Sequence, residues 1–233
     1  MISGINKNLQ CLILFGSHAR GDVDKNSDLD LLGIDNTTQH KTISVNKVNL
    51  SLYTHDNLIE MAKNGDSFLL HLIKEGKCLF GEDKFDVIKE SFKYKDNKKY
   101  LNDAKAAYYL ASKIHDSQYD VPSSKWWLAN KRISWCVRTI LISLLMCERN
   151  VVFSKSALAE CLSNSHNDIN FDDAMLLVDA KSHREKNGKI LQLLSVFLAS
   201  KTELSHINKR EIYARDIISK TINNIISHDE YHY

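Results

Sequence analysis

The pattern of apolar and polar positions along the chain changes near residue 95. Before this point, short apolar runs with β-branched and aromatic residues recur, which is the pattern of strands. These runs cover residues 11–15, 29–34, 47–53 and 77–81. After it, apolar residues return at helical spacing, which predicts amphipathic helices. We therefore expect two domains, residues 1–95 and residues 96–233.

Helices are expected between and after the strands of the first domain. Thr54 is a candidate N-cap for the first helix, and Gly65 stands where a residue after the last turn belongs. Two more helices are predicted over residues 67–76 and 82–94. His71 and Glu75 stand four residues apart on one helix face. We interpret them as an ordinary pair rather than half of a zinc site, because the sequence shows no further cluster of ligands. Together these elements predict a small mixed β-sheet flanked by helices.

The second domain is predicted to be a bundle of roughly five helices. The helical segments are residues 99–118, 123–149, 154–164, 171–205 and 209–227. The most apolar stretch, residues 133–147, is shorter than the about 20 residues that cross a membrane. It is therefore predicted to be a core helix, in which Arg138 either forms a salt bridge or faces a cleft and contacts phosphate. The expected fold class is α+β, with an all-α helical bundle after the sheet-containing domain.

Composition narrows the class of protein. The formal net charge is +2, with 43% hydrophobic and 26% charged residues, as in ordinary soluble proteins. Neither half is strongly basic, so composition does not indicate nonspecific nucleic-acid binding. The cysteines form no Cys-x-x-Cys pair, which favours buried thiols in a reducing cytoplasm over structural zinc. The N-terminus lacks the pattern of a signal peptide, so we expect a cytoplasmic protein without membrane association.

The first candidate for chemistry is the turn after the first predicted strand, in the sequence LFGSHARGD. Gly16 and Ser17 stand where this strand ends and a helix is expected to begin. A Gly-Ser turn lets backbone amides approach a phosphate closely, and a helix start adds partial positive charge. The turn therefore predicts a phosphate-binding element.

The second candidate is a pair of carboxylates on the next strand. Asp28 and Asp30 alternate with Leu29 and Leu31, so both carboxylates are expected on one face while the leucines face the core. Two adjacent carboxylates repel each other unless a cation lies between them. Oxygen ligands suit Mg²⁺ or Mn²⁺, which also bind nucleotide phosphates. The pattern predicts a metal site beside the phosphate-binding turn.

The stretch GSHARGDVDKNSDLDLL, residues 16–32, resembles the signature of the DNA polymerase β superfamily of nucleotidyltransferases. It is most similar to the minimal and the antibiotic nucleotidyltransferases, whose pattern is Gly-Ser, ten residues, Asp-x-Asp. Residues 18–27 supply the ten. The resemblance implies transfer of a nucleoside monophosphate from a nucleoside triphosphate (NTP), with ATP as the expected donor, to a hydroxyl by two-metal chemistry.

The resemblance also implies roles for individual residues. Gly16 and Ser17 would contact the triphosphate, and Asp28 and Asp30 would hold Mg²⁺ or Mn²⁺. Arg20 is either a further phosphate contact or a solvated residue at the helix start. The helical domain is expected to bind the acceptor or a partner. The acceptor could be a protein, an RNA end or a small molecule, and the sequence leaves homodimer formation open.

One position departs from the family pattern. The family has a third carboxylate on a later strand, and the matching position here is Asn49, with Ser51 as the other inward-facing option. An amide oxygen can bind a metal, but it is neutral and cannot accept a proton, so activation of the hydroxyl should suffer most. Either the acceptor or another acid, Asp35 or Asp56, compensates, or the chain is a nucleotide-binding regulatory module with weak or no transferase activity.

Overall fold

The computed structural model describes residues 8–23, 27–37, 40–206 and 212–227. The chain divides into two compact units, Met1–Lys95 and Asp96–Tyr233. The first unit combines a sheet with helices, whereas the described residues of the second unit form helices only. The predicted α+β fold class is confirmed.

A mixed sheet of five strands is formed by the described residues of the first unit. The strands are β1 (Leu9–Phe15), β2 (Leu29–Asp35), β3 (Lys41–Val45), β4 (Val48–Tyr53) and β5 (Lys77–Phe80), in the order β3-β4-β2-β1-β5. β2 and β4 run parallel, and the other neighbouring pairs are antiparallel. The sequence pattern does not predict β3, because this edge strand is exposed along its whole length and has no apolar run.

Four helices accompany the sheet among the described residues. They are α1 (Ser17–Arg20), α2 (His55–Lys63), α3 (Ser67–Glu75) and α4 (Glu82–Ser91). Side chains cap two of them: Thr54 accepts a hydrogen bond from the Asn57 amide, and Asp66 accepts one from the Leu69 amide. These caps satisfy amides that have no partner within the helix, and they fix where α2 and α3 begin.

The helices pack on one face of the sheet. Buried residues of the sheet (Cys11, Ile13, Leu32, Ile34) contact those of the helices (Leu58, Ala62, Leu69, Leu72, Phe85, Ile88). Alternate residues of a strand share a face, so Asp30 lies on the same face as Leu32 and Ile34. Leu29 and Leu31 therefore point to the opposite face and are only half-buried. The prediction that these two leucines face the core was wrong, because β2 is apolar on both faces and alternation cannot distinguish them.

The second unit contains α5 (Asn97–Asp116), α6 (Trp126–Cys147), α7 (Lys155–Asn164), α8 (Phe171–Val178), α9 (Gly188–Ala199) and α10 (Ile212–Ile226). The segment 171–205, predicted as one helical stretch, is divided into α8 and α9. Asn187 starts α9, because its side chain accepts hydrogen bonds from the amides of Lys189 and Ile190. The first residues of the predicted helix 209–227 lie outside the described residues.

The most apolar stretch lies in α6 and is a core helix. Its residues Ile133, Val137 and Ile140 are fully buried in the core of the second unit. Arg138 donates a hydrogen bond from Nη2 to the Phe153 carbonyl oxygen at 3.3 Å, which is a structural contact within this unit. Among the helices of the described ranges, none is both long and apolar enough to cross a membrane.

The cap of α9 gives a test of the second unit. Asn187→Ala removes the acceptor for two amides, so we expect the free energy of unfolding to fall by about 1 kcal/mol. Asn187→Asp keeps the acceptor and should stay close to the wild type. Urea denaturation followed by circular dichroism measures both. Equal losses in the two variants would show that the cap does not explain where α9 begins.

Candidate functional site

The site begins at the turn between β1 and α1. Gly16 has φ 72° and ψ −154°, and α1 is a single turn of four residues. The amides of Ser17 and His18 stand at its start, where no earlier carbonyl of the helix can accept from them. A helix this short has few aligned peptide dipoles, so the partial charge predicted from a helix start is small. Any phosphate binding at this turn therefore depends on the backbone amides themselves.

The turn lies directly against Asp30. Phe15, the last residue of β1, is paired with Asp30 across the antiparallel ladder. A Cβ atom added to Gly16 would lie 2.9 Å from Asp30 Oδ2. Glycine is therefore required here twice, for the positive φ and for the close approach of the carboxylate.

Asn49 faces the other oxygen of the same carboxylate. The parallel register of β2 and β4 pairs Asp30 with Asn49, and Asn49 Nδ2 donates a hydrogen bond to Asp30 Oδ1 at 3.1 Å. Ser51, the alternative position, is paired with Leu32, one step closer to the buried core. The residue beside the Asp30 carboxylate is thus the neutral amide of Asn49.

Asp28 stands just before β2 and is exposed. The sequence placed it within the strand, but the ladder with β4 begins only at Leu29. The Asp28 carbonyl oxygen accepts a hydrogen bond from His18 Nδ1 at 3.0 Å. Residues 24–26 of the predicted ten-residue spacer lie outside the described residues.

The other two candidate acids stand elsewhere in the first unit. Asp35 is fully buried, and its Oδ1 accepts hydrogen bonds from the amide and hydroxyl of Thr37 at 2.8 and 2.6 Å. Asp56 lies in the first turn of α2, after the far end of β4. Within the part of the chain that the structure describes, no group of three or more His, Cys, Asp or Glu side chains could hold a metal ion. Neither acid takes the third position.

The donor set suits one divalent cation shared with a nucleotide. Mg²⁺ is commonly bound by one or two carboxylates together with substrate phosphates. Asp28 and Asp30 could supply the carboxylates, and the amides at the adjacent turn could donate to phosphate oxygens. A second cation would lack the third carboxylate, because Asn49 carries no charge.

Arg20 is engaged within the protein. Its Nη1 donates to Glu75 Oε2 at 2.7 Å, and its Nε donates to Asp22 Oδ2 at 3.1 Å. The Arg20 and Glu75 side chains are only 19% and 17% exposed, so the pair is largely removed from water. Burial alone would lower the pKa of Arg20, but the hydrogen bonds to Glu75 and Asp22 outweigh it and leave the pKa raised. The ion pair of Arg20 and Glu75 connects α1 to α3. A phosphate contact by Arg20 stays a prediction.

Glu75 has a second hydrogen-bond partner, His71. His71 Nε2 donates to Glu75 Oε2 at 2.9 Å, and the His71 ring meets the Phe15 ring edge-to-face at 5.9 Å. Burial alone would raise the pKa of Glu75, but the hydrogen bonds and charges of His71 and Arg20 outweigh burial and lower it. The spacing of His71 and Glu75 is visible in the sequence, but their link to Arg20 is not.

Comparison with known proteins gives a family match in the first unit. Residues 3–85 match the family model described as "Polymerase beta, Nucleotidyltransferase". The first unit therefore carries a nucleotidyltransferase domain of this type, and the resemblance seen in residues 16–32 is confirmed. A solved nucleotidyltransferase-like protein from Exiguobacterium sibiricum is 15% identical, with 85% of this chain and 71% of that chain covered and a TM-score of 0.36. No curated protein is significantly similar in sequence.

The Glu75 network predicts a pH dependence of stability. A carboxyl with a lowered pKa in the folded state adds stability above its ordinary pKa, and this stability is lost as pH falls through the folded value. The free energy of unfolding of the wild type, relative to Glu75→Gln, should therefore decrease as pH falls below 4.5, the ordinary value. Urea denaturation between neutral and acidic pH measures the difference.

The matched control is Glu60→Gln, because Glu60 is an exposed glutamate of α2. The free energy of unfolding of this variant, relative to the wild type, should change little over the same pH range. If the difference in the free energy of unfolding between the wild type and Glu75→Gln stays constant from neutral to acidic pH, the ionised Glu75 carboxylate does not stabilise the fold as proposed.

Proposed function

We propose that the chain transfers a nucleoside monophosphate from an NTP, with ATP as the expected donor, to a hydroxyl of an acceptor. The observation that carries this proposal is the contact between the Gly16 turn and the Asp30 carboxylate, with Asp28 two residues before Asp30. A phosphate-binding turn and two carboxylates at one end of a sheet suit the chemistry of a metal-bound triphosphate.

Each residue then has a distinct task. The amides at Ser17 would hold phosphate oxygens, and Asp28 and Asp30 would hold Mg²⁺ or Mn²⁺. The cation, when bound, would neutralise charge on the triphosphate and on the departing pyrophosphate. The acceptor oxygen would attack the α-phosphorus as the bond from that phosphorus to the pyrophosphate breaks, and the hydroxyl proton would leave to a base. Asn49 cannot be that base, because an amide does not accept a proton at ordinary pH.

The second unit would bind the acceptor, which could be a protein, an RNA end or a small molecule. The sequence supports this division, because the residues proposed to bind phosphate and metal all lie in residues 1–95. We expect the reaction to take place in the cytoplasm, in keeping with cysteines that are all free.

The second candidate is a nucleotide-binding regulatory module that transfers poorly or not at all. The hydrogen bond from Asn49 to Asp30 favours it, because a donor amide stands where the family has a carboxylate. Release of pyrophosphate from each of the four NTPs, with Mg²⁺ or Mn²⁺, separates the two functions. Transfer requires release that depends on an acceptor from a cell extract, whereas a regulatory module would bind NTP without release.

Nucleotide binding itself should depend on both carboxylates. The double variant Asp28→Ala, Asp30→Ala removes the proposed cation ligands, so metal-dependent binding of NTP should be abolished. Isothermal titration calorimetry with ATP and Mg²⁺ measures this, and Asp56→Asn serves as a control acid outside the site. Unchanged binding in the double variant would show that the site has been assigned wrongly.

Restoring a charge at position 49 should raise the rate of transfer. Asn49→Asp would add a carboxylate opposite Asp30, and a useful base contributes about 10²–10⁴-fold, so partial recovery is measurable as pyrophosphate release. Ser51→Asp is the register control, because Ser51 shares the strand face one step further along. A rate of transfer that rises only with Ser51→Asp would show that the third carboxylate position is residue 51 rather than residue 49. Unchanged rates in both variants would favour the regulatory module.

A further inference from the structure

The carbonyl group of Asp28 lies beyond the end of the ladder between β1 and β2. The ladder with β4 begins at Leu29, whose amide donates to the Lys47 carbonyl oxygen at 2.7 Å. The ladder with β1 ends at the pair of Phe15 and Asp30. The Leu29 amide and the Asp28 carbonyl belong to one planar peptide unit, so the β4 side of the sheet holds the amide side of this peptide. The ladder with β1 ends before it reaches the carbonyl side, and Asp28 is exposed.

A side chain of α1 contacts the carbonyl side of this peptide. His18 Nδ1 lies 3.0 Å from the Asp28 carbonyl oxygen. A carbonyl oxygen can only accept, so Nδ1 carries the proton and donates. His18 directly follows Ser17, so one imidazole joins the turn proposed to hold phosphate to the residue proposed to hold the cation.

The element that carries His18 is itself held in place. Ala19 is buried, with only 2% of its surface exposed. Arg20 is hydrogen-bonded to Glu75 of α3 and to Asp22. A donor on a fixed turn can orient the peptide that it contacts, whereas a donor on a mobile loop would merely follow it.

We propose that His18 is a positioning residue, whose hydrogen bond to the Asp28 carbonyl aims the Asp28 carboxylate at the cation that Asp30 binds. This inference rests on the proposed function of the site. Loss of a partner that orients a metal ligand commonly weakens metal affinity about 10–100-fold. We expect a loss of this order when the Nδ1 donor is removed, although the His18 side chain is not itself a proposed ligand of the cation.

Two conservative substitutions separate positioning from general packing. The side-chain nitrogen of asparagine stands where Nδ1 stands, three bonds from Cα, so His18→Asn keeps the donor. Glutamine is longer by one bond and places its nitrogen near the position of Nε2, so His18→Gln loses the donor while keeping a polar side chain. His18→Ala loses both.

The experiment measures binding of Mn²⁺ to the full chain in the presence of ATP, by electron paramagnetic resonance of the free ion. His18→Asn should keep the affinity of the wild type, and His18→Gln and His18→Ala should lose about 10–100-fold, with melting temperatures unchanged. Wild-type affinity in the alanine and glutamine variants, or equal loss in all three variants, overturns the inference. A wild type that binds no Mn²⁺ with any of the four NTPs overturns the proposed function, and this inference with it.

The tautomer of the His18 ring can be measured on the wild type, so this test does not depend on the folding of any variant. The nitrogen chemical shifts of the His18 ring distinguish the two neutral tautomers. A proton on Nδ1 is expected, because the Asp28 carbonyl can only accept. A neutral ring with its proton on Nε2 would refute the hydrogen bond on which the inference depends.

Discussion

The register of β2 against its two neighbours determines the chemistry that this site can offer. The antiparallel ladder brings Asp30 to the end of β1, against Gly16, and the parallel ladder brings it opposite Asn49. A shift of one residue would turn every side chain of β2 to the other face. Asp30 would then leave the site, and Leu32 and Ile34 would leave the core. Burial of the core and placement of the carboxylate are therefore set by the same constraint.

Asn49 changes the electrostatics of the site as well as its proton chemistry. Three adjacent carboxylates repel each other strongly and require more than one cation, whereas two carboxylates can be neutralised by one divalent ion. The Asn49 amide donates to Asp30 Oδ1, so this oxygen has a partner even without a cation. Under the proposed function, this arrangement would suit one cation carried with a triphosphate. A second cation would have to be stabilised by charge from the acceptor or from the nucleotide.

Local sequence patterns were enough to propose the residues of the candidate site. Gly16, Ser17, Asp28, Asp30 and Asn49 were proposed from their spacing along the chain relative to the predicted strands. Contacts between distant segments could not be predicted in this way. Arg20 meets Glu75 across 55 positions, and only packing of α3 on the sheet brings them together. The strand β3 was missed for a related reason, because an exposed edge strand is held by its ladder rather than by an apolar run.

The contacts of Arg20 with Glu75 and Asp22 are compatible with the predicted phosphate contact. A guanidinium has five N–H donors, and the hydrogen bonds to Glu75 and Asp22 come from Nη1 and Nε. Exchange of Glu75 for a phosphate would leave a largely buried carboxylate with His71 as its remaining partner in this network, at a cost in desolvation. Contact through Nη2 would avoid that cost, because the bond to Glu75 could persist. Arg20 can therefore hold α1 against α3, and with it the amides at Ser17, whether or not phosphate is bound.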